Sequence, residues 1–387
     1  MKKYLLSFAV MLMGTALFTA CDDSDDGPNY VPVVVSNGAY VVCGGNQSSS
    51  INGSLTYIDF ATKTAAQNQF AAKNGRTLGL TPNDALVYGE KMYVVVTEEN
   101  TVEVLNARTL ASIRQIKTTE LMGNDKGAAP RHITAADGKI YVSTYGSSTA
   151  DWGTYTTSGN GYVAAIDTTT FALSATYTAG SYPEGLIVAD GYLYVANSDY
   201  SMGTKASISA INLATGVDSP FTNSLIVNPQ AIAIAGNDVY VLDWGNYYDV
   251  LGGIRKISGS TVSTVLDCTT ACFMGTNIYG CNASYGAVTT EFSVYNIVSG
   301  SKTTLSTGLG DRFFYPNAIG VDPVTGKIYI ASYTENESRP GYANYSANGF
   351  VAEYTSEGQL ENTYACGVGP NAIVFNTGIK YVETNRK

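Results

Sequence analysis

PEGLIVADGYLYVANS, residues 183–198, is the stretch whose reading decides the fold. A proline opens it, the apolar run Leu186-Ile187-Val188 follows, Asp190-Gly191 supplies a tight turn, and a second apolar run centres on Tyr194. Proline brings no ladder donor and therefore suits the first residue of a strand. Asp-Gly between two apolar runs is a strong short-range hairpin signal. The same unit returns as PNDALVYGEKMYVVVT from Pro82, PRHITAADGKIYVSTY from Pro130 and PQAIAIAGNDVYVLDW from Pro229. With a longer turn it is PNAIGVDPVTGKIYIASY from Pro316, and a half copy, PNAIVF, starts at Pro370.

A second signature follows each hairpin, an apolar strand ending in a polar turn. Examples are Tyr57-Ile58-Asp59, Leu105-Asn106, Ile166-Asp167, Ile211-Asn212, Ile257-Ser258, Tyr295-Asn296 and Tyr354-Thr355. Asp, Asn and Ser open such turns by bonding their own backbone. Together the two signatures describe a four-stranded antiparallel unit, the blade of a β-propeller. The interval between Pro229 and Pro316 fits two repeats, with a degenerate opening, ACFMGTNIYGCN, from Ala271. GAYVVC, residues 38–43, reads as the second strand of a unit without its first, and the orphan PNAIVF is the missing piece. The expectation is an all-β, seven-bladed propeller of four-stranded blades, closed by the C-terminal strand pairing with the N-terminal strands.

The chain begins with a basic Met1-Lys2-Lys3 and a short apolar core, then Phe18-Thr19-Ala20-Cys21, which has the form of a lipobox. Residues 1–20 read as a removed lipoprotein signal peptide rather than a spanning helix, and Cys21 as the lipid attachment site. Residues 21–36, opening with the acidic run DDSDD, read as a flexible tether, and residues 37–387 as the propeller. Of 22 Lys and Arg, two precede Cys21, so the mature chain carries 20 positive against 32 negative groups, a net −12. A chain this acidic, with no basic cluster, repels phosphate backbones and argues against nucleic acid.

Beyond Cys21 there are Cys43, Cys268, Cys272, Cys281 and Cys366. A turn at Thr276-Asn277 would set Cys272 directly across from Cys281, where one disulfide can form; buried thiols are the alternative, and zinc the weaker rival.

In this architecture the loops entering first strands and those leaving second strands share one rim. The residue after each opening proline faces it: Asn83, Arg131, Glu184, Gln230, Asn317 and Asn371. These side chains either line a binding funnel or cap strand ends. The loops leaving second strands carry aromatics: Tyr145 and Trp152, then Tyr200, then Trp244, Asn246, Tyr247 and Tyr248. Tyr285 follows, and then Tyr333, Tyr342 and Tyr345. Tyr and Trp offer large flat area with a polar tip, which suits a flat or ringed ligand, though such rings also pack loops together. Tyr93, Tyr141, Tyr194, Tyr240, Tyr279 and Tyr329 recur with the repeat and read as core between blades.

His132 is the only histidine, which excludes His-based metal triads. It reads as a lining or binding residue, and no nucleophile elbow accompanies it. Glu184, Asn83, Asn317, Asn371 and Asp243 have the oxygen chemistry of a calcium site, but a polar rim supplies the same residues. No metal, cofactor or catalytic residue is assigned.

The repeated Pro-Asn/Glu-Gly/Ala-Ile…Gly-Lys-Ile-Tyr-Val unit over residues 38–375 resembles the YncE-like seven-bladed propellers. With the lipobox and acidic tether in front, the chain is similar to Bacteroidota surface propeller lipoproteins, whose cobalamin-capturing (BtuG-like) branch hands its ligand to a TonB-dependent transporter. That resemblance implies a lipid-anchored protein on the outer face of the outer membrane. It also implies a non-catalytic small-molecule binder, with cobalamin as the expected ligand. Two other readings fit the residues: a glycan- or protein-binding surface module, and a metal-dependent lactonase or hydrolase using channel carboxylates.

Overall fold

The opening prolines begin strands in the computed structural model, which describes residues 29–146, 159–198, 205–246, 248–283, 291–305, 308 and 313–384. Pro82–Tyr88, Pro130–Ala136, Pro183–Ala189, Pro229–Ala235, Tyr315–Val321 and Pro370–Thr384 each pair antiparallel with the strand of their own or the N-terminal unit. Asp190 and Gly191 both take positive φ, 49° and 79°, as the expected two-residue turn between Ala189 and Tyr192 requires.

The protein is all-β, and the described residues form seven antiparallel sheets in chain order. Sheet 1 orders its strands as Pro370–Thr384, Asn29–Cys43, Ser54–Asp59 and Thr64–Ala66. Sheets 2 and 3 run from Pro82–Tyr88 to Ser112–Lys117 and from Pro130–Ala136 to Leu173–Thr178. Among the described residues, sheet 4 has three strands, Pro183–Ala189, Tyr192–Asn197 and Ser207–Asn212, and its outer edge carries the bridges Ile208–Phe221 and Ile211–Asp218. Sheets 5, 6 and 7 open with Pro229–Ala235, Thr270–Met274 and Tyr315–Val321. The polar turns behave as read: Asp59, Asn106, Asp167, Asn212 and Asn296 each accept from the backbone N–H groups two and three residues on.

Every sheet is apolar on both faces, because each face packs against a neighbouring sheet. Tyr40, Val42 and Leu55 of sheet 1 meet Met92, Val94 and Val96 of sheet 2. Tyr93 and Val95 meet Ile133 and Val142, Tyr141 meets Leu186 and Val195, and Ile208 meets Ile232 and Val241. Tyr240 and Leu242 then meet Ile278, and Tyr279 and Phe292 meet Ile319 and Ile328. The last cluster joins Tyr329, Ala331 and Tyr364 of sheet 7 to Val41, Cys43 and Ile58 of sheet 1. The recurrent second-strand tyrosines are thus core between sheets, with only Tyr194 among the expected six partly exposed.

Glycine permits a close approach at the third strands. A Cβ on Gly53 or Gly161 would stand 2.2 or 2.1 Å from the ring of the next opening proline, Pro82 or Pro183. This Gly–Pro contact ties one sheet to the start of the next.

Two expectations are corrected. Asn29–Cys43 is one strand, paired with Pro370–Thr384 from Asn29–Thr384 to Cys43–Pro370, so residues 29–36 are strand rather than flexible tether. Val33-Val34-Val35 is β-branched and finds a backbone partner in residues 378–380, which the acidic prefix alone did not reveal. The second correction concerns the cysteines. Gly275 takes φ +60° and is the first turn residue, so the turn is Gly275-Thr276 and the register pairs Met274 with Asn277. Cys272 therefore faces Tyr279, and Cys281 faces Thr270. Cys272 and Cys281 lie on a diagonal, where Cβ atoms stand up to about 7–8 Å apart, beyond disulfide reach.

Candidate functional site

The opening strands share an irregularity that builds the site. Register shifts interrupt their ladders just after the proline, between Pro82 and Asp84, Pro130 and Ile133, Pro183 and Leu186, Pro229 and Ala231, and Pro316 and Ala318. A bulge leaves its extra residue unpaired and re-aims that side chain. The residue after the proline is thereby freed from its own ladder, and Asn317, Asn371, Asn83 and Arg131 each reach the next sheet.

Where this residue is asparagine it makes a neutral tether. Asn317 Nδ2 donates to the Pro370 carbonyl at 2.9 Å and to Asn371 Oδ1 at 2.9 Å. Asn371 Nδ2 donates to the Pro82 carbonyl at 3.0 Å, and Asn83 Nδ2 to the Arg131 carbonyl at 2.8 Å. Gln230 is buried, and its amide donates locally to Asn228 Oδ1 at 2.7 Å.

Where the residue is charged, an ionic ensemble forms instead. Arg131 Nε and Nη2 donate to Glu184 Oε2 and Oε1 at 3.1 and 3.3 Å. His132 Nε2 lies 3.3 Å from Glu184 Oε2, and its Nδ1 lies 3.0 Å from Asp84 Oδ2. The Tyr145 hydroxyl donates to Glu184 Oε1, while the Arg131 guanidinium stands 5.0 Å over the Tyr145 ring. Tyr145 in turn meets Tyr182 edge-on at 4.8 Å. Glu184 is buried, with its side chain 1% exposed, whereas Arg131 and His132 keep partial exposure.

The protonation states follow from these partners. Burial alone would raise the Glu184 carboxyl, but Arg131, His132 and the Tyr145 hydroxyl outweigh it and hold the group down at about 2. Burial likewise opposes a charged His132, yet hydrogen bonds to Asp84 and Glu184 raise it to about 9. At neutral pH the imidazole therefore carries both protons and donates from both nitrogens. It has no lone pair with which to act as a base. Two cations and two carboxylates close as a neutral group, and Glu184 has no oxygen free of a donor.

Asp84, two residues after Pro82, is a member of the site that the residue directly after each proline does not reveal. It accepts from His132 Nδ1 and also from the Ile133 N–H at 3.2 Å. The signal is the acid at the third position of PND, where the ladder resumes directly after the register shift.

The residues with the oxygen chemistry of a calcium site are engaged with protein partners. Asp243 accepts from the N–H groups of Val227, Asn228 and Gly245 at 2.9, 3.0 and 2.8 Å, so its carboxylate orders two loops. Burial raises its pKa against those donors. Asn317 and Asn371 are committed to the tether above. Among the described residues, no group of three or more His, Cys, Asp or Glu is placed to hold a metal.

The aromatic loops show three environments, and Tyr345 shares two of them. Tyr145 is buried in the ionic ensemble rather than displayed. Tyr315, Tyr333 and Tyr345 form a mutual cluster, with Tyr333–Tyr345 at 4.9 Å and Tyr315–Tyr333 at 5.9 Å. Asn46 Nδ2 donates to the Tyr345 carbonyl at 2.8 Å, which holds this loop against sheet 1. The third set is displayed: Trp244, Tyr342 and Tyr345 are 37%, 40% and 43% exposed, and Tyr248 is 88% exposed. Trp244 Nε1 donates to the Thr269 carbonyl at 2.9 Å, which fixes the partly exposed indole. The Arg339 guanidinium lies 3.5 Å over the Tyr342 ring. Asn246 is not available in the same way, because its Oδ1 accepts from the N–H groups of Tyr248, Asp249 and Val250. Cys21, Trp152, Tyr200, Tyr247 and Tyr285 lie outside the described residues.

Comparison with known proteins adds the fold and little else. Residues 37–150 match a family described as a domain of unknown function, DUF5074. No curated protein sequence matches the chain. A putative 6-phosphogluconolactonase from Bacteroides uniformis is 11% identical, with TM-score 0.55, covering 89% of this chain and 100% of its own. A hypothetical selenium-binding protein from Sulfolobus tokodaii is 10% identical, with TM-score 0.57, covering 89% and 92%. Hydrazine synthase of Kuenenia stuttgartiensis is 12% identical, with TM-score 0.56, covering 78% and 95%. At these identities the likeness is one of fold, and it fits a β-propeller.

Proposed function

We propose that the chain is a seven-bladed propeller closed by its own two ends, and that it captures a small ligand without chemistry. Closure is supported by the pairing of Pro370–Thr384 with Asn29–Cys43 and by the apolar cluster joining sheet 7 to sheet 1. The observation that carries the binding reading is the contrast at the rim. Arg131, His132, Glu184 and Asp84 are spent on one another, while Trp244, Tyr342, Tyr345 and Tyr248 keep 37%, 40%, 43% and 88% exposure on loops that leave second strands. Open indole and phenol faces gain most from a large, flat or ringed ligand.

The ligand we favour is cobalamin, held by these rings and delivered to a TonB-dependent transporter. The protein would be tethered through Cys21 to the outer face of the outer membrane. A glycan- or protein-binding module would use the same faces. A hydrolase reading has less support, because Glu184 lacks a free oxygen and His132 a free lone pair.

Calorimetric titration of the full chain with cyanocobalamin tests this reading. Saturable heat that falls at least ~10-fold in affinity for Trp244→Ala and Tyr345→Ala, the cost of losing a central aromatic anchor, supports it. Absence of heat at high micromolar ligand refutes cobalamin and turns the search to glycans. Lactone hydrolysis abolished by a chelator would overturn the non-catalytic reading.

A further inference from the structure

The five described cysteines carry no disulfide, and four of them are buried. Cys272 and Cys281 are ruled out as partners by their diagonal register. Cys268 packs with sheet 5, beside the face of Gly280: a Cβ on that glycine would lie 3.0 Å from the Cys268 Cβ and 3.3 Å from its Sγ. Adjacent strand residues point to opposite faces, so Cys281 is turned away from Cys268. Cys281 accordingly belongs to the other cluster, between sheets 6 and 7.

Cys43 and Cys366 are arranged differently. Cys43 ends the strand Asn29–Cys43 in sheet 1, Cys366 lies on the outer strand Leu360–Val368 of sheet 7, and both enter the one apolar cluster that joins these sheets. The ladder of Leu360–Val368 shifts register between Asn348–Val368 and Phe350–Ala365, so a bulge falls at Cys366 and Gly367. That bulge turns this part of the strand toward Cys43. A Cβ on Gly367 would lie 3.1 Å from the Cys43 Cβ and 3.2 Å from its Sγ. Cys366 is thus the immediate chain neighbour of a residue in contact with Cys43, and both thiols lie in the same buried cluster, with Thr56 Oγ1 4.0 Å from the Cys43 sulfur.

We propose that Cys43 and Cys366 are a thiol pair that oxidises to a disulfide, locking sheet 1 to sheet 7 at the seam where the two ends of the chain meet. The oxidant is an external disulfide. One cysteine thiolate attacks it, forming a mixed disulfide and releasing one thiol. The second thiolate then displaces the other half as a second thiol, so one S–S bond is exchanged for another and no net electron source is needed. Both side chains are at most 1% exposed in the closed seam, so exchange takes place while the seam is open, during folding or transient separation of the two sheets. The bond would enclose residues 43–366, nearly the whole folded chain, which makes it a clasp rather than a local staple.

The test is refolding of the full chain in oxidised glutathione, followed by alkylation in denaturant and peptide mapping. The expected product is a crosslinked peptide pair containing Cys43 and Cys366, with Cys268, Cys272 and Cys281 recovered alkylated. Recovery of Cys43 and Cys366 as separate alkylated peptides, or Cys43 bonded to any other cysteine, would overturn the pairing. The guanidinium midpoint of the oxidised protein should fall on reduction. It should stay unchanged by reductant in Cys366→Ser. A midpoint indifferent to reductant in a chain shown to carry the bond would overturn its role as a clasp.

Discussion

Two arcs of the same rim solve one problem with different chemistry. From Pro316 through Pro370 to Pro82, the residue after each opening proline is asparagine, and each amide donates to the next sheet's backbone. From Pro130 to Pro183 the equivalent residues are Arg131 and Glu184, joined by His132, Asp84 and Tyr145. The neutral arc can lose one member and expose only an amide-sized gap. The charged arc is an interdependent set around a carboxylate that is 1% exposed, so removal of one member strands the others. A repeat thus fixes where a side chain is aimed, and residue type decides whether that position is a tether or a charge centre.

Mutations can break this contrast. Glu184→Ala leaves Arg131 and His132 without their shared partner and should cost about 3–5 kcal/mol in a guanidinium denaturation, the range for breaking a buried pair. A loss no larger than that of Asn371→Ala would remove the distinction between the arcs.

The pH dependence of Tm comes next in size. Glu184 is held at about 2, below its ordinary 4.5, so its contribution is present above pH 4.5 and is lost as pH falls toward 2. His132 is raised to about 9 from 6.5, so its contribution is complete below pH 6.5 and is lost as pH rises through 9. Glu353, buried between Lys63, Lys327 and Tyr364 and also held at about 2, adds to the acid limb. His132→Gln should remove the alkaline limb and leave the acid one. An alkaline limb that survives in this variant would sink the assignment.

On the neutral arc, Asn371→Ala should cost about 1 kcal/mol, the ordinary net worth of a hydrogen bond, measured by the same denaturation. The smallest stability effect is expected for Trp244→Ala, within ~1 kcal/mol, because the indole is 37% exposed and donates one hydrogen bond. That variant sharpens the proposal for the open rings, since its effect should be read in ligand affinity and hardly in Tm.

Much of the architecture was legible because repetition is a one-dimensional signal. The prolines, the Asp-Gly turn and the Asx turns after third strands each encode a local backbone event, and each occurs where the residues place it. The cysteine misreading shows how narrow the margin is. A turn placed at Thr276-Asn277 instead of Gly275-Thr276 moved the register by two and set the wrong residues opposite. Gly89 and Gly236, first in the two-residue turns of sheets 2 and 5 with φ +63°, were the clue that glycine leads such turns here.

The site was less legible, because the partners that link its sheets are 39 to 54 residues apart, and 289 apart for Asn371 and Pro82. Position after an opening proline marks Arg131 and Glu184, and composition marks His132 as the only histidine, but neither shows that they would neutralise one another. Nor does either show that Tyr145 would be drawn beneath Arg131 while Trp244 stayed open.

By itself, then, the sequence determined the all-β repeat, the strand openings and the turns, since these depend on φ restrictions and on bonds between neighbours in the chain. Tertiary structure decided which rim residues are tethers, which are ions and which rings stay exposed. It also brought Cys43 and Cys366 into one cluster, because those outcomes depend on distances between sheets set by packing on both faces.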